Sequence, residues 1–176
     1  ERGSGTNTFS RSWEMVESQT SIPEKPRAVF FPSSTDEFLA FGPMWNVDQW
    51  ASQFQAFDLI MSILEARGCD LILRLHPNLR DKSRSYFRET AKGIKWLQDR
   101  HPSLSVHWHN SPVNSYDLVS SADYVIVERS TIGLEANLMR KPVWVNQAAQ
   151  WDMVADVRQA LAESQISEDF LTPWPV

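Results

Sequence analysis

The sequence predicts a three-layer α/β domain built on a parallel sheet of about five strands. Short β-branched apolar runs recur about every 30 residues and alternate with longer segments of helical period. Hydroxyl-rich or basic turns follow directly on several of those runs. At 176 residues, with 42% hydrophobic and 22% charged content, the chain can bury one sizeable core. Right-handed crossovers would bring the turns to one sheet edge, where such folds bind ligands.

Residues 1–26 are polar, with Gly3, Gly5 and a Pro-Glu-Lys-Pro exit, and read as a linker with a short helix around Ser12 to Ser18. The domain proper is expected over 27–176. Arg27 to Phe31 is the first strand, followed by Pro32-Ser33-Ser34-Thr35-Asp36-Glu37-Phe38. Asp36 or Glu37 is placed to act on a substrate hydroxyl, as a base or by orienting it; equally, these acids suit a capped helix start. Phe41 to Gln49, with Gly42, Pro43 and Trp45, reads as a loop able to cover a site.

Phe54, Phe57, Ile60, Met61 and Leu64 mark a helix over Trp50 to Arg67, stopped by Gly68. Asp70 to Leu75 is the second strand and runs into His76-Pro77-Asn78. Arg74, His76, Arg80 and Lys82 gather positive charge there, and His76 could contact a phosphate or protonate a leaving oxygen. A second helix covers Ser83 to Arg100, and a third strand Leu104 to His109. His107 and His109 share a strand face, but no third ligand accompanies them and no metal is expected. Asn110, Ser111 and Asn114 precede a short helix and could touch a base or ribose.

Ser121 to Val145 is a complete strand-turn-helix-strand unit around which the chain is organised. Tyr124 to Val127 is a buried strand. Glu128, Arg129, Ser130 and Thr131 form the turn, and Ser130 is the expected N-cap, with backbone N–H groups and hydroxyls able to receive an anion. Glu135 lies four residues beyond Thr131, on the same helix face, where a carboxylate could accept from sugar hydroxyls; a solvated surface acid fits the spacing as well. Ile132, Ala136 and Met139 are expected to face the sheet, Arg140 and Lys141 to complement the helix end, and Val143-Trp144-Val145 to form the next strand. Trp151 to Ser164 reads as a last amphipathic helix, and Phe170 to Val176 as an extended tail.

Net charge of −5 with no basic run argues against a nucleic-acid or anionic-membrane surface. Cys69 is the only cysteine, so no internal disulfide exists; a reducing, cytoplasmic setting is expected. No apolar stretch approaches a membrane span. A serine hydrolase is disfavoured because Ser130 lacks flanking glycines, and a dinucleotide enzyme because no G-x-G-x-x-G follows the first strand. The chain starts at Glu1 without methionine, so a preceding domain is expected to be absent.

The ordered set S-S-T-D-E-F, R-L-H-P-N, N-S-Y-D-L-V-S-S-A-D and S-T-I-G-L-E-A with K-P-V-W-V resembles bacterial capsule polysaccharide biosynthesis glycosyltransferases. More distantly it is similar to teichoic-acid glycerophosphotransferases and the Kdo transferases of capsule export. The resemblance covers about Arg27 to Val145. It implies one Rossmann-like half of a GT-B enzyme, the carboxyl-terminal donor-binding domain, which needs no cofactor or metal. It implies a nucleotide-activated sugar, CMP-, CDP- or UDP-linked, as donor and a saccharide or glycolipid as acceptor. Ser130 and Thr131 would hold the donor phosphates, Glu135 the ribose, and Arg74 with His76 the phosphate or leaving group. An amino-terminal GT-B domain would complete the enzyme, and any association with the inner membrane would fall to other parts. A sugar-nucleotide 2-epimerase and a non-catalytic nucleotide-binding module remain alternative readings.

Overall fold

A computed structural model describes residues 25–34, 50 and 52–166. Residues 1–24 of the expected linker, the Asp36 and Glu37 turn, the Phe41 to Gln49 loop and the tail from Phe170 lie outside the described residues. Six parallel strands form one sheet in the order β3-β2-β1-β4-β5-β6. They are β1 (Arg27–Phe31), β2 (Asp70–Arg74), β3 (Ser105–His107), β4 (Tyr124–Val127), β5 (Val143–Val145) and β6 (Arg158–Gln159). Four α-helices connect them: α1 (Gln53–Ala66), α2 (Arg84–Arg100), α3 (Ser115–Ser120) and α4 (Ile132–Leu138). The arrangement is Rossmann-like, and the order in which strands are added across the sheet reverses between β1 and β4.

Strand alternation builds two cores. Ala28 and Phe30 of β1, Leu71 and Leu73 of β2, and Ile126 of β4 face α1 and α2. Val29, Phe31, Val125 and Val127 face α3 and α4. Phe57, Ile60, Met61 and Leu64 are fully buried along one stripe of α1, each worth about 1.5–3 kcal/mol of transfer free energy. Helix starts are set by side chains: Ser52 accepts from Gln55 N, Ser83 from Tyr86 N and Asn114 from Tyr116 N. Gly68, at φ +76, supplies the left-handed residue beyond α1. Among the described residues no helix is long and apolar enough to cross a membrane.

The largest departure from expectation is at 151–164, which is not an amphipathic helix. It holds a 3-10 turn (Asp152–Val154), the sixth strand β6 and a second 3-10 turn (Glu163–Gln165). Met153 and Val154, which an amphipathic helix here would turn inward, are 92% and 80% exposed. Tertiary partners claim this backbone instead. Ala160 N donates to Val145 O at 2.7 Å, and the buried Trp50 Nε1 donates to Ala160 O at 3.0 Å. The Asn137 side chain brackets Asp156, donating to its carbonyl and accepting from its N–H.

Three smaller corrections concern α4. Thr131, not Ser130, is its N-cap residue, and no side chain caps it. Met139 is exposed, and Gly133 takes the sheet-facing place beside Ala136 because the Trp151 indole lies against it. Lys141 does not serve its own helix end; its ammonium donates to the Ser120 and Ala122 carbonyls at the end of α3. Arg140, at φ 59, occupies the left-handed position that closes α4.

At the edge opposite the strands' carboxyl ends, α1 and the end of α2 are tied by a polar network. Buried His101 reaches Asp58 Oδ1 through Nε2 and Glu65 Oε2 through Nδ1, each at 3.0 Å. Arg100 Nε donates to the same Asp58 oxygen, and Ser103 Oγ donates to Glu65 Oε1 at 2.6 Å.

Two predictions follow from this packing. A Cβ on Gly133 would lie 2.5 Å from Trp151 Cη2 and 2.9 Å from Val127 Cγ2. Gly133→Ala should therefore lower the unfolding free energy in urea by roughly 1–3 kcal/mol. The Ser103 hydroxyl and then the His101 ring hold the Glu65 carboxyl below its ordinary 4.5. A depressed acid stabilises the fold fully above its unfolded value, and that contribution disappears as pH falls through the folded value. Glu65→Gln should thus flatten the acid limb of a plot of Tm against pH; an unchanged limb would contradict the assignment.

Candidate functional site

The crossover from β1 leaves toward one side of the sheet and that from β4 toward the other, so their exit loops part and open a crevice. Register brings Phe31 opposite Val127, so the two loops begin at the same level. They are then tied to each other. Ser33 N donates to Glu128 Oε2 at 3.2 Å, and Arg129 N donates to Ser33 Oγ at 3.1 Å. The Gln53 carboxamide, at the start of α1, pairs with the same residue: Oε1 accepts from Ser33 N and Nε2 donates to Ser33 O, both at 3.2 Å. Arg129 Nη2 donates to Gln147 Oε1 beyond β5, and Trp151 Nε1 donates to Arg129 O. Ser34, Glu128, Arg129 and Gln147 are all buried, so the floor of the crevice is polar and ordered.

On the α1/α2 side a small cleft is lined by Ser33, Ser34, Gln53, His76, Tyr86 and Thr90. His76 is half-buried there and begins a 3-10 turn (Pro77–Asp81), its Nδ1 accepting from Asn78 N at 3.1 Å. An accepting Nδ1 puts the proton of the neutral ring on Nε2, making that nitrogen a donor. Such a ring suits contact with a phosphate or leaving oxygen better than proton abstraction.

Arg74 lies elsewhere. Leu73 and Leu75, its neighbours, face α1 and α2, so strand alternation turns Arg74 to the α3/α4 side. It is only 6% exposed; Nη1 donates to Trp108 O at 2.5 Å, while Nε is buried without a partner. No carboxylate pairs with it among the described residues, and burial holds its pKa below the ordinary arginine value. Among the described residues it is therefore a buried cation without a compensating carboxylate, at the carboxyl edge.

Glu135 stands on the same side. Its Oε2 is buried without a hydrogen-bond partner, and it faces Tyr116 of α3. Burial, then the Glu135 carboxylate, pushes the Tyr116 phenol up to about 12. Ser130 is half-buried and Thr131 exposed, both in the turn that follows β4. Asn110 is exposed on the loop after β3, and Asn114 is committed to capping α3.

One edge thus carries Arg74, His76, Asn110, Ser130, Thr131 and Glu135. The exits of β2 and β4 are two strand spacings apart, roughly 10 Å. The structure does not bring Arg74 and His76 into one cleft; they flank the edge from opposite sides. Asp36 and Glu37 fall outside the described residues. The histidine pair expected on one strand face is divided, since β3 stops at His107 and the His109 ring packs edge-on against Phe87 at 5.9 Å. No group of three His, Cys, Asp or Glu able to hold a metal occurs among the described residues.

Sequence reasoning missed Gln53 and did not assign the Glu128-Arg129 pair or Asn146-Gln147. Two charges directly after a four-residue apolar strand, and an amide pair after β5, were the available signals. Asn146 is fully buried, with neither side-chain atom hydrogen-bonded.

No family profile and no curated protein matches this chain. Solved structures of Thermosulfurimonas dismutans KpsC do. Its beta Kdo 2,4 transferase aligns with a TM-score of 0.50 and 15% identity over 89% of this chain and 46% of its own. Its beta Kdo 2,7 transferase aligns with a TM-score of 0.50 and 18% identity over 84% and 43%. The chain spans less than half the length of either, and at this identity the likeness shows a shared fold.

Arg74→Met gives a test of the buried cation. Loss of the bond to Trp108 O is offset by relief of guanidinium desolvation, so stability should stay within about 1 kcal/mol of wild type in urea unfolding. A much larger loss would show that Arg74 is a structural tie alone.

Proposed function

We propose that this chain is the donor-binding half of a glycosyltransferase that moves a sugar from a nucleotide-activated donor to a bacterial surface polysaccharide or glycolipid. The observation that carries the reading is Arg74: a buried guanidinium with no counter-charge among the described residues, at the carboxyl edge of a Rossmann-like sheet. A donor phosphate would supply the missing negative charge. In the cytoplasm such a domain would have nucleotide sugars at hand.

In this reading the donor lies along the edge from β2 to β4. Ser130 and Thr131 offer hydroxyls to its phosphates. Glu135, whose Oε2 is unpartnered, accepts from ribose hydroxyls, and Asn110 lies at the margin for the base. As the acceptor oxygen bonds to the anomeric carbon, the bond from that carbon to phosphate oxygen breaks and negative charge develops on the departing nucleotide. His76 Nε2–H donates to that oxygen, and Arg74 lowers its potential through a medium of low dielectric. These groups take the part that a metal plays in other transferases. Asp36 or Glu37 is the reading's acceptor for the hydroxyl proton, unless the complementary half of the enzyme supplies it. The KpsC neighbours transfer Kdo, so a CMP-linked acidic sugar is the first donor to try.

Isothermal titration of the folded chain with CMP, CDP, UDP and GDP tests the reading. At least one should bind, and Arg74→Met should weaken it by about tenfold or more. Failure of all four to bind would overturn it.

A further inference from the structure

The Gln53 carboxamide meets both backbone groups of a single residue in the manner of a neighbouring β-strand, with Oε1 on Ser33 N and Nε2 on Ser33 O, both at 3.2 Å. The amide's orientation is fixed by its partners, because the flipped form would set like groups against each other at both contacts. Ser33 is in turn the residue through which β4's exit is held, its N–H on Glu128 Oε2 and its Oγ receiving Arg129 N. Gln53 also lines the cleft that contains His76. A side chain at the first residue of α1 is therefore bonded to the residue that ties the β1 exit to the β4 exit.

We propose that Gln53 is a positioning residue for the donor site: acting through Ser33, it holds the β1 exit loop at the spacing at which the β4 exit loop can receive a nucleotide's phosphates. The inference rests on the nucleotide-binding reading given above. Only a group that donates and accepts at once fits both the N–H and the carbonyl of Ser33. An apolar side chain leaves both peptide groups without Gln53, and an ionised carboxylate sets an acceptor against Ser33 O and crowds Glu128 Oε2 on the shared N–H.

Wild type, Gln53→Leu and Gln53→Glu are titrated with CMP, CDP, UDP and GDP, and amide hydrogen exchange is followed at Ser33 and Arg129. Gln53→Leu should bind about tenfold more weakly than wild type, with faster exchange at both amides. Gln53→Glu should bind weakly at neutral pH and recover toward wild type near about pH 5, where a protonated carboxyl is isosteric with the amide and again donates to Ser33 O. A residue serving only general stability would not show that pH-dependent rescue. If Gln53→Leu does not fold, the Gln53→Glu pH profile decides alone. If wild type binds and the variants bind equally well, with unchanged exchange, the positioning role is overturned while the nucleotide reading stands. If wild type binds none of the four, both fall.

Discussion

Parallel pairing of β1 with β4 is the constraint on which the rest depends. It sets Ala28 against Tyr124, Val29 against Val125, Phe30 against Ile126 and Phe31 against Val127, all within a fully apolar interior. A slip of one residue would send Phe30 to the α3/α4 layer and Val29 to the α1/α2 layer, exchanging every buried side chain between cores of different shape. The same register fixes the height of the exit loops, so that Ser33 meets Glu128 and Arg129. Hydrophobic packing thereby determines the geometry of a polar crevice that it does not touch.

The sheet's two edges differ in how their polar groups are satisfied. At the amino edge His101, Asp58, Glu65, Arg100 and Ser103 form a network in which each charge faces an opposite or hydrogen-bonding neighbour. Around the carboxyl ends lie buried atoms with no partner, on Arg74, His109, Glu135 and Asn146, whereas Arg27 Nε is the comparable atom near the amino edge. An unpaired buried polar group costs about 1–3 kcal/mol, more when charged. These groups gather at the edge where folds of this class bind ligands. α1 spans both edges, carrying Glu65 at one end and Gln53 at the other.

Much of the fold was legible because local signals agreed with the tertiary outcome. Tyr124 to Val127 is short, β-branched and buried on both faces, and Ser52 and Ser83 cap helices whose apolar period matches their buried stripes. The 151–164 segment was illegible because its partners lie far away in sequence: Trp50 holds Ala160 across 110 residues. For the candidate site, strand-end position singled out His76 and Ser130, and helical spacing from Thr131 singled out Glu135. Nothing local distinguished a buried Arg74 from a solvated one, and Gln53 finds Ser33 only in the folded chain, 20 residues away.

A crystal structure of the chain with a bound nucleotide tests the central claim most directly. The account predicts phosphate oxygens at the β1/β4 crevice, within hydrogen-bond reach of Ser130 or Thr131 and of His76 Nε2, with the ribose toward Glu135. A nucleotide seated away from the carboxyl edge, or phosphates that leave those side chains untouched, would contradict it.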